Sequence, residues 1–112
     1  MADRMTIEPA PRKVVVRTGD AIIAESENAL VLREDGHAPV YYLPRADVAM
    51  EFLDRSDKVT HCPLKGDATH FHISGIGGTM ENAAWSYETP KPGAEAIAGH
   101  LAFYPENLAI EP

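Results

Sequence analysis

The chain has 112 residues, with ten basic and seventeen acidic side chains and a formal net charge of −7. That length fits one domain, large enough to bury a core without staples. The acidic balance argues against a nucleic-acid polymer as partner, which needs a basic face, but not against a free anionic small molecule, since one lysine and a few amides hold a phosphate group.

Cys62 is the sole cysteine, so neither an internal disulfide nor a multi-cysteine zinc site is expected. No cofactor is expected. No apolar run is long enough to span a membrane, so no membrane partner is expected either. Residues 1–12 are polar and proline-containing, without a signal-peptide core. The expectation is a flexible amino-terminal arm over 1–12, a single β domain over 13–112, and a soluble, cytoplasmic protein.

Val14-Val15-Val16 predicts a first strand, closed by the turn signal Thr18-Gly19-Asp20. Ala21–Ser26 and Ala29–Arg33 are two apolar runs split by Glu27-Asn28, which predicts a hairpin. Glu34-Asp35-Gly36-His37 is the next turn. Val40–Leu43 then reads as a strand with Tyr41 and Tyr42 on opposite faces. Pro44 suits the first position of a short helical turn over Arg45–Asp47. Val48–Leu53 alternates as a half-buried strand does, with a helix through Asp47–Leu53 as the other possibility. Asp54–Asp57 reads as a polar turn, Lys58–Cys62 as a short strand and Ala68–Ser74 as another.

Gly75-Ile76-Gly77-Gly78 resembles half of a phosphate-cradling loop. No P-loop lysine follows, so a hairpin tip is the preferred reading. Met80–Tyr87 is the return strand. Pro90-Lys91-Pro92-Gly93 breaks the chain, and Ala94–Ala98 predicts one or two helical turns. Leu101–Tyr104 and Leu108–Ile110 are the last strands. Short strands at even spacing predict a mainly β fold, a small antiparallel barrel or folded sheet with one or two short helices. No long helical pattern alternates with them, which disfavours a doubly wound nucleotide-binding fold.

The chemistry-bearing residues concentrate in Thr60-His61-Cys62-Pro63-Leu64-Lys65-Gly66-Asp67-Ala68. Pro63 fixes φ and Gly66 permits unusual φ, so this segment is shaped. Cys62 is a candidate nucleophile, the alternative being a buried structural thiol. His61 is its sequence neighbour, but a strand points adjacent side chains to opposite faces, which makes His61 a poor base for it. Lys65, with the amides of Gly66 and Asp67, is a candidate anion holder. The alternative is a solvated turn lysine.

Trp85 and Tyr87 share a strand face on which a flat ligand can stack. Tyr42 and Tyr104 are candidates to complete that wall, and core packing is the alternative for each. Asn82 lies on the same strand and is a further candidate ligand contact. Glu51 is a candidate general base if buried and a solvated carboxylate if exposed. His70 and His72 form an H-x-H pair. A metal site there needs a third ligand from His61, Glu51 or His100, and two histidines on a polar face explain the pattern without one.

The T-H-C-P-x-K-G-x-A segment, N-A-A-W-S-Y at 82–87 and A-G-x-x-A-F-Y-P at 98–105 together resemble a family of small bacterial proteins of unknown function, sometimes labelled nucleotidyltransferase-like. The resemblance runs from about Val14 to Ile110 and implies a nucleotide reaction. It departs at His70-Phe71-His72, where relatives tend to carry an aromatic pair, so no role for those histidines is inherited.

Three readings of function follow. The first is a pocket at the Cys62–Asp67 segment binding an anionic small molecule, with Lys65 on the anion and Trp85 and Tyr87 on a flat part. The second is a nucleotidyltransferase-like enzyme, against which stands the lack of a D-x-D-type magnesium motif. The third is a structural or oligomerising module, with a homodimer as one form of it. The first predicts that Cys62, Lys65, Asp67, Trp85 and Tyr87 converge on one concavity, because pairing around Ile76-Gly77 brings the Pro63–Gly66 turn beside Tyr87.

Overall fold

The computed structural model describes residues 4–19, 21–75, 78–106 and 108–112. Among the described residues ten strands run in chain order: β1 Met5–Pro9, β2 Val14–Thr18, β3 Ala21–Ser26, β4 Leu30–Glu34, β5 Val40–Tyr42, β6 Leu53–Cys62, β7 Gly66–Gly75, β8 Gly78–Ser86, β9 Ala102–Phe103 and β10 Ala109–Glu111. Single 3-10 turns form at Arg45–Asp47, Met50–Phe52 and Glu95–Ile97. The fold is therefore mainly β, as the spacing predicts.

The strands form three antiparallel sheets with orders β1-β4-β5, β10-β2-β3 and β6-β7-β8-β9. Two isolated bridges, Ala24↔Val48 and Leu43↔Leu101, stitch them together. Of the two predicted architectures, the folded sheet describes this arrangement and a closed barrel does not.

The four-stranded sheet is buried on both faces at its β8–β9 end. In the paired stretch Ala84↔Phe103 and Trp85↔Ala102, Ala84 and Phe103 join one core with Val14, Val16, Ile23, Leu43 and Leu101. Trp85 and Ala102 join the other, with Leu32, Tyr42, Tyr87 and Ile97. Alternating side chains point to opposite faces, so a strand feeding two cores reads as a continuous apolar run. Along β7 the buried face changes partway. Ala68 and His70 point to the second core's side, and Phe71 and Ile73 belong to the first.

Four sequence expectations are corrected. The expected arm over 1–12 contains β1, whose residues pair with β4 in the register Met5↔Glu34 to Pro9↔Leu30. β3 and β4 do not form a hairpin. β3 pairs with β2, and β4 with β1 and β5. The corner between them is set by buried Ser26, whose hydroxyl donates to Asp47 Oδ2 at 2.6 Å and accepts from the Asn28 amide at 2.9 Å. That corner carries the chain into a different sheet instead of folding it back.

Val48–Leu53 is not a strand. Val48 makes one bridge and the chain then winds through the 3-10 turn. Asp54–Asp57 is not a turn but part of β6, with Asp54↔His72 and Arg55↔Phe71 in register. β6 is an edge strand, and edge strands carry charged side chains that compositional reading takes for a turn. Most other strand and turn positions hold within a residue or two, among them the turn after Pro44 and the β7–β8 hairpin, closed by the pair Gly75↔Gly78. The tip residues Ile76 and Gly77, like Asp20 and Asn107, lie outside the described residues.

Among the described residues no helix is long and apolar enough to cross a membrane.

Candidate functional site

The β6–β7 connection is short. Cys62 pairs with Gly66, leaving Pro63, Leu64 and Lys65 as the turn. Gly66 adopts φ +107°, a region that side chains disfavour. The turn is braced from outside. The Lys91 amide donates to the Lys65 carbonyl at 2.9 Å, and Lys91 Nζ donates to the Pro63 carbonyl at 3.1 Å. The brace points Lys65 inward, where it is 8% exposed. Its Nζ donates to Glu34 Oε1 at 3.0 Å and lies 5.9 Å from the centre of the Tyr87 ring.

Lys65 and Glu34 face a cleft of about 420 Å³. One wall is aromatic. Trp85 and Tyr104 rings lie 4.3 Å apart at 40°, and Trp85 meets Tyr42 edge-on at 6.3 Å. The Trp85 indole N–H donates to the Tyr42 hydroxyl at 3.3 Å, and Tyr42 meets Tyr87 at 6.5 Å. Burial pushes the Tyr42 hydroxyl up to about 12 and raises Tyr87 as well, so both are neutral hydrogen-bonding groups near pH 7. Cys62, His37 and His61 line the cleft too.

Cys62 is a half-buried free thiol. Burial works to raise its pKa. The Leu64 and Lys65 amides and the Lys65 ammonium work against that and prevail, so the thiol is held below its ordinary value. His61 takes no part in this. Its Nδ1–H donates to Asp67 Oδ1 at 2.8 Å across the strand pair on the exposed side. The alternation argument against His61 as base is met by this geometry.

The candidates therefore separate. Cys62, Lys65, Trp85, Tyr87 and Tyr42 share the cleft, although the β6–β7 turn and the Trp85–Tyr87 segment lie about twenty residues apart. Gly66 shapes the turn without lining the cleft, and Asp67 is exposed on His61. Asn82 sits elsewhere, beside a cleft of about 470 Å³ with Lys58, Glu81 and Glu106. Its φ is +51°, in a bulge where three β8 residues oppose His72 alone. Glu51 is exposed on the Met50–Phe52 turn, away from the cleft lining.

A further apolar cleft of about 470 Å³ lies between the β2–β3 turn and the β7–β8 tip. Its described lining, including Phe52, Ile73 and Met80, carries no titratable side chain, in contrast to that of the Lys65 cleft.

The H-x-H pair is engaged in packing. His72 Nδ1 accepts the Asn82 amide at 3.0 Å, which satisfies the bulge. His70 is fully buried, bonds Tyr104 through Nε2 at 3.2 Å and stacks on its ring. Burial lowers the His70 pKa. His100 bonds the Ala98 carbonyl, and among the described residues no three His, Cys, Asp or Glu side chains gather as metal ligands would.

Sequence reasoning missed Glu34, which it placed in a turn, and His37. No local signal joins Glu34 to Lys65, 31 residues away. Only the placement of β4 against the β6–β7 turn does. No curated protein matches the chain. The NTP_transf_9 model, described as a domain of unknown function (DUF427), matches residues 6–111 and thereby extends the resemblance into β1. With nearly its whole length matched, the chain belongs to the DUF427 family.

Proposed function

We propose that this protein binds an anionic small molecule with a flat body in the Lys65 cleft. The flat part stacks on Trp85 and Tyr104, and the anionic group takes the free N–H donors of Lys65 beside the Cys62 thiol. One observation carries the reading. A nine-tenths-buried ammonium and an aromatic wall open onto the same cleft. An ammonium has three donors, and Glu34 takes one of them. A reducing compartment such as the cytoplasm suits the reading, because Cys62 must remain a free thiol.

The test is calorimetric titration with aromatic acids and nucleotides. The wild type binds at least one of them. Lys65→Met weakens a charged ligand tenfold or more and leaves its neutral analogue little changed. Equal weakening of both by Lys65→Met would assign the lysine to structure alone.

A second reading is catalysis by Cys62, favoured by its depressed thiol pKa. It requires that the wild type consume a bound ligand and that Cys62→Ser bind without consuming it. The nucleotide-transfer reading gains no such support, since the carboxylate at this cleft, Glu34, is already tied to Lys65.

A further inference from the structure

The Lys65–Glu34 pair is an unusual floor for an anion site. Its side chains are 10% and 14% exposed, so water screens the pair poorly. Both charges face the cleft, and together they cancel. The nearby cations do not restore a positive balance. Lys91 keeps its charge, but its exposed ammonium sits on the Pro63 carbonyl outside the cleft lining, where water screens it, and His61 is paired with Asp67. His37 is the remaining basic side chain at the rim.

A neutral pair treats anions of different charge differently. Attraction to Lys65, already reduced by Glu34, grows in proportion to the ligand's charge. The cost of taking that charge out of water grows as its square. A dianion therefore loses more than it gains at such a floor unless a second cation meets it. Phosphate esters are close to dianionic above pH 7, whereas a carboxylate is a monoanion. A planar carboxylate also suits the remaining donors of Lys65 while its ring lies along Trp85 and Tyr104.

We infer that the cleft selects a monoanionic aromatic carboxylate over a phosphate ester, with Glu34 as the specificity-determining residue. This rests on the binding reading above and narrows it. Removing the Glu34 charge while keeping an acceptor leaves Lys65 free to attract a dianion, so the preference must shrink.

The experiment uses the indole N–H resonance of Trp85, the single tryptophan, in nitrogen-15 NMR titrations at pH 8. The probes are 2-naphthoate, 2-naphthyl phosphate and uncharged 2-naphthamide, against wild type and Glu34→Gln. The expected result is that wild type prefers naphthoate over naphthyl phosphate at least about tenfold, a gap of about 1.4 kcal/mol. In Glu34→Gln the gap closes severalfold. A wild-type ratio below tenfold overturns the inference and leaves the binding reading standing. So does a ratio that Glu34→Gln, folded by its amide spectrum, leaves unchanged. If none of the three probes moves the indole resonance, the inference falls, and the binding reading then stands or fails on the calorimetric titration with nucleotides. The wild-type ratio is read first and depends on no variant folding.

Discussion

At Cys62, opposing effects of similar kind meet at one sulfur. Burial disfavours the thiolate, while the turn amides and Lys65 favour it and win. A larger thiolate fraction at neutral pH means faster alkylation. The rate of iodoacetamide modification should therefore inflect at lower pH than free cysteine measured alongside. Lys65→Met should move that inflection upward. An inflection at or above that of free cysteine would show that burial dominates instead. The residue scale also explains why Lys65 reads so differently in sequence and in structure. In sequence it is a turn lysine. In the fold, its carbonyl and the Pro63 carbonyl are both held by Lys91, and the side chain turns inward to Glu34.

At the scale of elements, the turns and bulges of the four-stranded sheet do the positioning. Gly66 at φ +107° closes the β6–β7 turn, and a Cβ there would sit in ordinary contact with Lys91 and Thr89. The penalty for Gly66→Ala is thus conformational rather than a clash, about 1–3 kcal/mol by chemical denaturation. It should also return the Cys62 inflection toward the free-thiol value, because the amides around the sulfur shift with the turn. On β8, Asn82 adopts the left-handed region, and its Oδ1 is buried without a partner. Asn82→Gly should stay within about 1 kcal/mol of wild type, whereas Asn82→Val should lose about 1–2 kcal/mol or more. Equal losses for the two would mean that the Asn82 side chain, not its backbone, holds the bulge.

At the scale of the whole molecule, one buried histidine couples folding to pH. The His70 pKa is depressed in the fold, chiefly by burial, relative to the unfolded chain. The unfolded state therefore binds more protons as pH falls below about 6.5. Stability from this group is fully present above that pH and is lost as pH drops toward the folded-state value. Between pH 7 and pH 5, unfolding free energy should fall for wild type, and the slope should flatten in His70→Gln. Parallel slopes would assign the loss to other groups. His70 also shows where sequence reading stops. H-x-H on a strand is equally a metal pair, a polar face or two packing side chains, and only the arrival of Tyr104 and of the Asn82 bulge decides among them. The sequence by itself determined the mainly β class, most strand positions and the shaped turn at Pro63–Gly66. Those depend on local φ preferences and on apolar runs between turn residues, which are properties of neighbours in the chain. The tertiary structure alone decided that β3 and β4 part into different sheets, that charged β6 is an edge strand, and that Glu34 meets Lys65. Each of these depends on which distant strand supplies the partner. A two-faced sheet with a core on each side leaves no alternation from which that partner can be read.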